Sequence, residues 1–492
     1  MEITQLLVLT LTFIILPLLY LTTRPKYKLP PGPRPLPLIG NIHLMGKLPH
    51  RSMANLAKKY GPIMTMRLGS VPGIVVSTSD AAKLFLKDHD LVFASRPALQ
   101  AVKYLWYEGK AVGLAPYGES WRKLRKMMTL QLLTASKVDS FAWLRKAEIG
   151  RTLRFFKDAA DKGAVADVGK KMGELTEDIM FKMIVGKGKE EDKRYDLQNF
   201  VEQVLQLGGA FNMADYVPLL APFDLQGLTR KMKKVSKELD VVLEAIIEDH
   251  LTGKGFVHNN DLLGIMLEIM KNPTDIVIDR VNIKAVMLDL FGAGIDTIGH
   301  TIEWAMAAMV KDPRIMNVLK KELDSVVGDS RMVEETDFPK LPYLDMVAKE
   351  TFRLYPGAPL LLPRESMEDI VLNGYMIPKK SRIIINFWGI ARDPNDWGEN
   401  ADEFYPERFA NGGGQHFGFF PFGGGRRLCP GAYLGTVTVK IVLAQLVHCF
   451  DWKLPGDEKP EDMDMSEKFG IAIPRVDKLY LIPSYRLKVA CP

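Results

Sequence analysis

Cysteine is scarce in this chain, and its scarcity excludes several kinds of site. The 492 residues contain three cysteines, Cys429, Cys449 and Cys491, all close to the C-terminus. An odd number placed so late in a chain does not build a disulfide framework. No two of them form a CxxC pair, so a zinc site made of thiolate ligands is also excluded. Each cysteine therefore has to be interpreted from its own surroundings.

The common motifs of hydrolases and nucleotide-binding proteins are missing as well. Neither HExxH nor GxxxxGKS/T occurs, and the triple glycine at residues 423–425 does not have the GxGxxG spacing. The net charge is only +6 and no long basic run is present, which argues against a nucleic-acid partner. Hydrophobic residues make up 47% of the chain, which is enough for a large core.

An apolar run stands at the N-terminus, from Ile3 to Leu21. As a helix, this run reaches about 29 Å, close to the thickness of the hydrocarbon core of a bilayer. Arg24, Lys26 and Lys28 follow it, and this charge distribution places the downstream chain in the cytosol. The alternative is a cleaved signal peptide, but no basic residue precedes the run and no small-residue cleavage site follows it. We predict an uncleaved, single-pass membrane anchor at residues 1–23.

The next segment, residues 24–40, is basic and rich in proline. Its prolines exclude a helix and favour an extended, semi-rigid connector, so we interpret it as a hinge between the anchor and the rest of the chain. Residues 41–492 contain no repeat, no low-complexity tract and no second linker. They are predicted to form one large domain.

Most of this domain has helical periodicity, with a smaller contribution from strands. Residues 63–77 have the pattern of two short strands around a turn. From Asp279 to Asp312, apolar residues at helical spacing and the absence of proline predict one helix about 50 Å long. Each of the glycines in its middle, Gly292, Gly294 and Gly299, costs about 1 kcal/mol relative to alanine. Either another helix packs closely against them or they make room for a bulky flat ligand, and periodicity does not distinguish the two.

The stretch FPFGGGRRLCPG, residues 420–431, surrounds the first of the cysteines. Cys429 stands just before a predicted helix at Ala432–Cys449 and just after Arg426 and Arg427. A helix N-terminus and nearby arginines both favour a thiolate, which acts as a nucleophile or as an iron ligand. A nucleophile would need a histidine base, which the sequence does not rule out. An inert buried cysteine fits the one that ends the apolar helix.

This loop resembles the haem-binding loop of the cytochrome P-450 superfamily, Phe-x-x-Gly-x-Arg-x-Cys-x-Gly. Its fixed positions correspond to Phe422, Gly425, Arg427, Cys429 and Gly431. Five fixed residues at the right spacing make a specific match.

Other motifs of the superfamily follow in the same order along nearly the whole chain. KETFR contains Glu350 and Arg353, and FYPERF contains Arg408. AGIDT ends at Thr297, and SWRKLRK contains Trp121. The spellings PERF, AGIDT, LPRES and DMSEKFG are most similar to the plant A-type microsomal group.

The resemblance implies a mainly α fold with small β-sheets: a single large haem domain behind the N-terminal transmembrane anchor. It implies haem b as the cofactor, with Cys429 as the axial ligand of the iron and Phe422 over the thiolate side. The expected partners of the haem propionates are Trp121, Arg125, Arg364 and Arg427.

The resemblance also assigns roles to two pairs of residues. In isolation, Glu350 and Arg353 would be a solvated ion pair worth about 0.2–0.5 kcal/mol, but the superfamily pattern implies a buried network with Arg408 that supports the cysteine loop. Thr297 and Asp296 are expected to be catalytic, holding a kink in the long helix and delivering protons to oxygen. The alternative for Thr297 is a hydroxyl that only bonds back to a carbonyl one turn earlier.

The implied activity is a haem-dependent monooxygenase that inserts one oxygen atom from O₂ into a small apolar plant metabolite. A terpenoid is favoured and a phenolic or phenylpropanoid comes next. The electrons come from NADPH through NADPH–cytochrome P-450 reductase. Segments similar to the superfamily's substrate-contact stretches are mainly apolar, and they begin at Ala98, Leu205, Leu290, Gly357 and Lys468.

Two other functions are possible for a haem-thiolate protein of this kind. One is an isomerase or dehydratase that rearranges a peroxide without a reductase, and the other is a non-catalytic haem or lipid carrier on the membrane. The intact AGIDT motif argues against both. The expected location is the endoplasmic reticulum membrane, with the catalytic domain facing the cytosol.

Overall fold

The computed structural model describes residues 28–187, 197–253, 260–273, 275–414, 417–468, 470 and 472–491. The predicted anchor at 1–23 and the first residues of the predicted hinge lie outside them. In the described part, α-helices dominate and the strands form small sheets. This confirms the predicted fold class.

The helices of the first half are α1 (Pro49–Tyr60), α2 (Ser79–Lys83), α3 (Gln100–Tyr104), α4 (Glu119–Met127), α5 (Ala135–Ser140), α6 (Ala142–Asp161), α7 (Val168–Val185), α8 (Leu197–Gly209) and α9 (Leu228–Thr252). Those of the second half are α10 (Leu262–Lys271), α11 (Arg280–Gly294), α12 (Asp296–Lys311), α13 (Pro313–Val326), α14 (Pro342–Leu354), α15 (Phe387–Ile390), α16 (Pro394–Trp397) and α17 (Ala432–Cys449). Turns of π-helix extend α2 and α4, and short 3₁₀ segments lie in several connections.

The strands are β1 (Ile63–Leu68), β2 (Val71–Val76), β3 (Ala166–Asp167), β4 (Arg364–Glu365), β5 (Ile370–Leu372), β6 (Tyr375–Ile377), β7 (Arg382–Ile385), β8 (Phe450–Lys453) and β9 (Tyr480–Tyr485). They form a four-stranded sheet in the order β1-β2-β7-β4, a three-stranded sheet in the order β3-β9-β8, and the hairpin β5-β6. The predicted strand pair at residues 63–77 is confirmed, since β1 and β2 pair antiparallel from Ile63 with Val76 to Leu68 with Val71.

Helix α17 has the bounds that the sequence predicted, Ala432–Cys449. Among the described residues it is the one helix long and apolar enough to cross a membrane. Most of it is buried inside the protein, so it is a core helix. Cys449 at its end is fully buried, as expected of an inert cysteine.

The long helix predicted from Asp279 to Asp312 is interrupted. It is divided at Ile295 (φ −80°, ψ −69°) into α11 and α12, so the prediction of one continuous helix is wrong at this residue. The carbonyl of Ile295 accepts a hydrogen bond from Thr176 Oγ1 of α7 at 3.1 Å. A side-chain donor from a neighbouring helix is a known cause of a break in a helical ladder.

Close packing explains the glycines around this break. A Cβ on Gly294 would lie 2.5 Å from Met180 Cε, and a Cβ on Gly299 would lie 3.3 Å from Thr176 Oγ1, both on α7. A Cβ on Gly292 would lie 3.2 Å from Leu205 of α8. Of the two reasons that the sequence allowed, the packing of other helices is therefore the one that the structure supports.

Candidate active site

Cys429 lies in a turn that is fixed by its backbone. The Cys429 N–H donates to Phe422 O at 2.9 Å, and the Gly423 N–H donates to Phe420 O at 2.8 Å. Gly425 has a φ of 62°, and a Cβ at this position would lie 2.3 Å from Leu86 O. The turn therefore requires glycine for both conformation and space.

The side chain of Cys429 is half-buried, and desolvation raises the pKa of its thiol. The Gly431 N–H and the charge of Arg125 oppose that shift. The two arginines next to Cys429 in sequence have other partners, because Arg426 pairs with Asp90 and Arg427 donates to backbone carbonyls. The hydrogen bonds of Arg426 and Arg427 thus go to groups other than the thiol, and Arg125 of α4 is a cation that lowers the pKa of the thiol.

Phe422 lies under the start of α17. Its ring packs edge-on against Phe352 of α14 with the ring centroids 5.1 Å apart, and a Cβ on Gly435 would lie 3.7 Å from it. The ring is thus held between two helices next to the cysteine turn.

Arg125, Arg364 and Arg427, which the sequence assigned together, lie close enough to affect one another. Burial, together with the charges of Arg364 and Arg125, lowers the pKa of Arg427 to about 9. Burial also lowers the pKa of Arg364 to about 10. Buried like charges destabilise one another unless an anion lies among them.

The hydrogen bonds of this arginine cluster are incomplete. Arg364 Nη2 donates to Gly424 O at 2.7 Å, but Arg364 Nη1 is buried without a hydrogen-bond partner. Arg427 donates to the carbonyls of Ala94 and Ala115 at 2.6 Å, and its guanidinium lies 4.2 Å from the ring centre of Trp121. An unsatisfied donor among buried cations fits an anionic group such as the carboxylates of a haem.

Arg96 belongs to the same cluster, although the sequence did not mark it. Burial lowers its pKa well below the usual value, and Arg427 and Arg364 act in the same direction. Its Nη1 donates to Leu362 O at 2.6 Å and its Nε to Gly113 O at 3.1 Å. In the sequence, Arg96 stands in FASRP and is not part of a spaced motif. Only its burial in the folded protein shows that it belongs to the site.

Glu350, Arg353 and Arg408 form one buried network behind the cysteine loop. Arg353 donates to both carboxylate oxygens of Glu350 at 2.7 and 2.8 Å, and Arg408 Nε donates to Glu350 Oε1 at 2.9 Å. Both members of the first pair are fully buried. The remaining guanidinium N–H groups bind backbone carbonyls of Ala401, Glu403, Trp397 and Asn400, among others. The solvated pair considered for Glu350 and Arg353 is therefore not what the structure contains.

Thr297 and Asp296 lie in the first turn of α12, immediately after the break at Ile295. Thr297 Oγ1 donates to Ala293 O at 2.6 Å, the back-bonding geometry that the sequence left open as an alternative. This bond bridges α11 and α12 across the break. A Cβ on Gly357 would lie 3.6 Å from Thr297 Cβ, so one of the predicted substrate-contact stretches faces this threonine.

Asp289 of α11 connects the two sides of the site, and sequence reasoning missed it. Its Oδ2 accepts from the N–H groups of Val112 and Gly113 at 2.7 and 2.8 Å. The carbonyl of Val112 in turn accepts from Arg427 Nη1 at 3.1 Å and from Trp121 Nε1 at 3.0 Å. A single peptide thus joins the helix that bears the AGIDT motif to the arginine of the cysteine loop.

Other predicted substrate-contact stretches meet near α11. A Cβ on Gly208 of α8 would lie 2.7 Å from the Trp106 ring, and Leu205 lies against Gly292. The stretch that begins at Lys468 falls partly outside the described residues.

A sequence model of the family described as Cytochrome P450 matches residues 30–480. The chain belongs to the cytochrome P450 family. It is 49% identical over 472 residues to Cytochrome P450 CYP736A12 of Panax ginseng, which covers 94% of each chain. It is 39% identical over 486 residues to a 3,9-dihydroxypterocarpan 6A-monooxygenase of Glycine max, again over 94% of each chain.

A solved structure agrees with the family. A zebrafish cytochrome P450 in a structure with abiraterone superposes with a TM-score of 0.75 at 22% identity, covering 89% of this chain and 100% of that chain. This likeness shows the fold. The protein is accordingly a plant-type, haem-dependent cytochrome P450 monooxygenase, and its family draws electrons from NADPH through a reductase.

Proposed function

We propose that this P450 inserts one oxygen atom into a small apolar specialised metabolite with a phenolic or terpenoid scaffold. The observation that supports the substrate class best is the apolar character of the stretches around Thr297 and α11. The pterocarpan named for the soybean relative favours a phenolic scaffold over a terpenoid. No observation favours an isomerase, a dehydratase or a carrier.

Several residues described above have the right donors to hold the cofactor. Cys429 would hold the haem iron through its sulfur, and Phe422 lies beside it in the same turn. Arg364 Nη1 has no hydrogen-bond partner, Arg96 and Arg427 lie close to Arg364, and Arg125 and Trp121 lie close to Arg427, so these groups would hold the haem carboxylates. When bound through a cysteine thiolate, haem supplies the activation of O₂ and the transfer of one of its oxygen atoms.

Glu350, Arg353 and Arg408 would support the site without touching the reacting atoms. Their hydrogen bonds to the carbonyls of residues 397–403 fix the segment that precedes the cysteine loop. Fully buried ion pairs tolerate little movement, because a broken pair leaves an uncompensated charge.

Thr297 and Asp296 would deliver protons. The Thr297 hydroxyl keeps lone pairs free while it donates to Ala293 O, and Asp296 is its neighbour in the same turn. Each oxygen insertion consumes two protons and two electrons, one oxygen atom entering the substrate and the other leaving as water. A proton donor held at the break would direct the electrons to product instead of hydrogen peroxide.

Thr297→Ala tests this role, and Thr301→Ala is a matched control. Thr301 Oγ1 makes the same kind of back bond one turn later, to Thr297 O at 2.7 Å. We expect Thr297→Ala to keep its haem and to consume NADPH, but to form several-fold less product and more peroxide per NADPH. Thr301→Ala should retain the wild-type ratio. An unchanged ratio in well-folded Thr297→Ala would show that its hydroxyl has only a structural role.

The same protein is proposed to be anchored in the endoplasmic reticulum membrane by residues 1–23, with residues 24–40 as hinge and residues 41–492 facing the cytosol. Exposed apolar side chains support a membrane face beside the hinge. Leu38 is 78% exposed and Leu219 is 82% exposed, and both lie in segments that contact Gly69 and Ser70. Other exposed apolar side chains of these segments are Leu36, Ile39, Phe211, Phe223 and Leu225.

Removal of residues 1–23 should leave haem binding intact and strongly reduce the fraction that sediments with membranes. If the truncated protein sediments as before, the apolar face around Leu38 and Leu219 is the main anchor. Substituting Leu38 and Leu219 with serine in the truncated protein would then identify it.

Reconstitution tests the activity and the substrate class. The enzyme and an NADPH–cytochrome P450 reductase in vesicles should convert members of a panel of plant phenolics and terpenoids into products that carry one atom from labelled O₂. The reduced carbon-monoxide complex should show the long-wavelength Soret band. Product formation without NADPH and reductase would contradict a monooxygenase.

A further inference from the structure

Helix α12 carries a row of titratable side chains that leads away from the helix break. Asp296, His300 and Glu303 are four and three positions apart, so they lie on one face of the helix. Asp296 is in the turn next to Ile295, and Glu303 is two turns further along. The row therefore starts next to Thr297 at the helix break and leads away from it along α12.

His300 in the middle of this row lacks the contacts of a satisfied core histidine. Its Nδ1 is buried and has no hydrogen-bond partner. By comparison, His250 is held by Ile246 O at 3.2 Å and lies 3.4 Å from Asp261 Oδ2. Burial lowers the pKa of His300, and the charge that opposes this shift is that of Asp296.

The charge that raises the pKa of His300 is that of Asp296, and α7, which packs against α12, carries the buried carboxyl of Glu177 next to Thr176. Helix α7 faces this part of α12 with Gly173 and Thr176, which are neutral. A Cβ on Gly299 would lie 3.4 Å from Gly173 Cα, so the two helices touch here, and the open space that a Cβ on Gly173 would enter lies to the side of this contact.

Glu303 ends the row and is buried. Its Oε1 accepts from the Leu479 N–H at 3.3 Å, and a Cβ on Gly169 would lie 2.3 Å from the same oxygen. Burial raises the pKa of this carboxyl; Asp167 acts in the same direction, while the Leu479 N–H, Arg475 and Lys478 act against it. The side chain of Lys478 is 64% exposed and lies 3.1 Å from Asp167. Gly169 thus leaves space for the Glu303 carboxyl, and the exposed side chain of Lys478 lies close enough to affect the pKa of that carboxyl.

We propose that His300 is a positioning residue that resupplies Asp296 with protons taken from Glu303. The imidazole accepts a proton from the Glu303 carboxyl and gives one to the Asp296 carboxylate, and water near Lys478 reprotonates Glu303. Each passage moves one proton inward, and the electrons still come from NADPH through the reductase. This inference rests on the proposed role of Thr297 and Asp296.

The relay has a direct signature that does not depend on turnover. In haem-loaded enzyme reduced under carbon monoxide, the histidine resonances of isotope-labelled protein can be titrated by NMR, and His300→Gln identifies the one that belongs to His300. Removing the carboxylate charge with Asp296→Asn should shift the His300 midpoint downward, because that charge favours the imidazolium. Asp324→Asn, a change near His448, should leave it unchanged. A His300 midpoint that does not move with Asp296→Asn would overturn the proposal.

Turnover provides the second measurement. At about pH 7–8, His300→Gln should lower product per NADPH about threefold or more, and the loss should grow as the pH rises and protons become scarce. Glu303→Gln should cause a loss in the same direction, and His250→Gln should cause none. If Thr297→Ala releases more peroxide and folded His300→Gln does not, the proposed proton transfer through His300 is wrong and the proposed role of Thr297 is supported. If His300→Gln loses its haem, the NMR result with Asp296→Asn decides.

Discussion

The cysteine side and the oxygen side of this site are held by different kinds of interaction. On the cysteine side, charge-assisted hydrogen bonds join Glu350 and Arg353, which are fully buried, to Arg408, which is largely buried. On the oxygen side, the break at Ile295 is bridged by two neutral hydroxyls, Thr176 Oγ1 at 3.1 Å from Ile295 O and Thr297 Oγ1 at 2.6 Å from Ala293 O.

This difference predicts how well each side tolerates a substitution or a rearrangement of its hydrogen bonds. A buried charge that loses its partner costs about 3–5 kcal/mol, whereas a neutral hydrogen bond contributes about 1 kcal/mol. The cysteine side is therefore intolerant of substitution, and the oxygen side can exchange its hydrogen bonds during a catalytic cycle. The peptide of Val112 and Gly113, held by Asp289 and Arg427, is where the two meet.

The largest effect is expected at the cysteine itself. Cys429→Ser should give folded protein whose reduced carbon-monoxide complex lacks the long-wavelength Soret band, because a hydroxyl does not supply the electron donation of a thiolate. Difference spectroscopy measures this directly. A variant that keeps the band would show that another residue ligates the iron.

The network behind the cysteine should be the next most sensitive part. Arg353→Met leaves Glu350 buried without its bidentate partner, and we expect the free energy of unfolding to fall by about 3–5 kcal/mol, with loss of haem. Lys349→Met on the same helix is the control, because its pair with Asp345 is partly exposed and contributes at most about 1 kcal/mol. Denaturant unfolding of both variants checks the comparison. Equal losses would mean that burial of the charge is not what distinguishes the cysteine side.

Acid should weaken a contact that holds one of the predicted substrate-contact stretches. Although burial alone would raise it, hydrogen bonds from His50 and Arg51 bring the pKa of Glu467 down to about 2 from the usual 4.5. A lowered folded-state pKa stabilises the protein above about pH 4.5, and this contribution is lost as the pH falls toward 2.

At pH 7 the free energy of unfolding of Glu467→Gln should accordingly be about 1–3 kcal/mol lower than that of the wild type. This gap in the free energy of unfolding should narrow as the pH falls below 4.5. Thermal unfolding at several pH values measures the gap. A gap that is constant with pH would show that the carboxylate charge does not contribute.

The smallest effect concerns the glycines of the helix break. In Gly294→Ala the new methyl would meet the flexible end of Met180, so we expect a loss of about 1–2 kcal/mol with haem content unchanged. Gly173→Ala is the matched substitution, because nothing lies within 4 Å of its Cβ and alanine favours a helix by up to about 1 kcal/mol. If Gly294→Ala instead loses haem at unchanged stability, the glycine makes room for the ligand and not for Met180.

Local features of this protein could be predicted from its sequence because they depend on near neighbours in the chain. The strands at residues 63–77 and helix α17 follow from periodicity and from turn residues. The cysteine turn follows from a motif whose glycines leave the backbone little choice, as Gly425 shows. Periodicity predicted the extent of the long helix but not its interruption, which only the resemblance implied, since Thr176, which binds the Ile295 carbonyl, is 119 residues away in the chain.

The sequence by itself determined which residue types surround the site, whereas the tertiary structure decided which of them touch. Arg426 and Arg427 are next to Cys429 in sequence, yet the charge that acts on the thiol is that of Arg125, because α4 packs against the turn. Arg96 and Asp289 have no distinguishing spacing in the sequence. Burial is the largest cause of the shifted pKa values of Arg96, Asp289 and His300, and charges that are close in space modify each shift. The physical reason is that desolvation and charge pairing depend on distances in space, which a linear pattern fixes only within a helix turn or a tight loop.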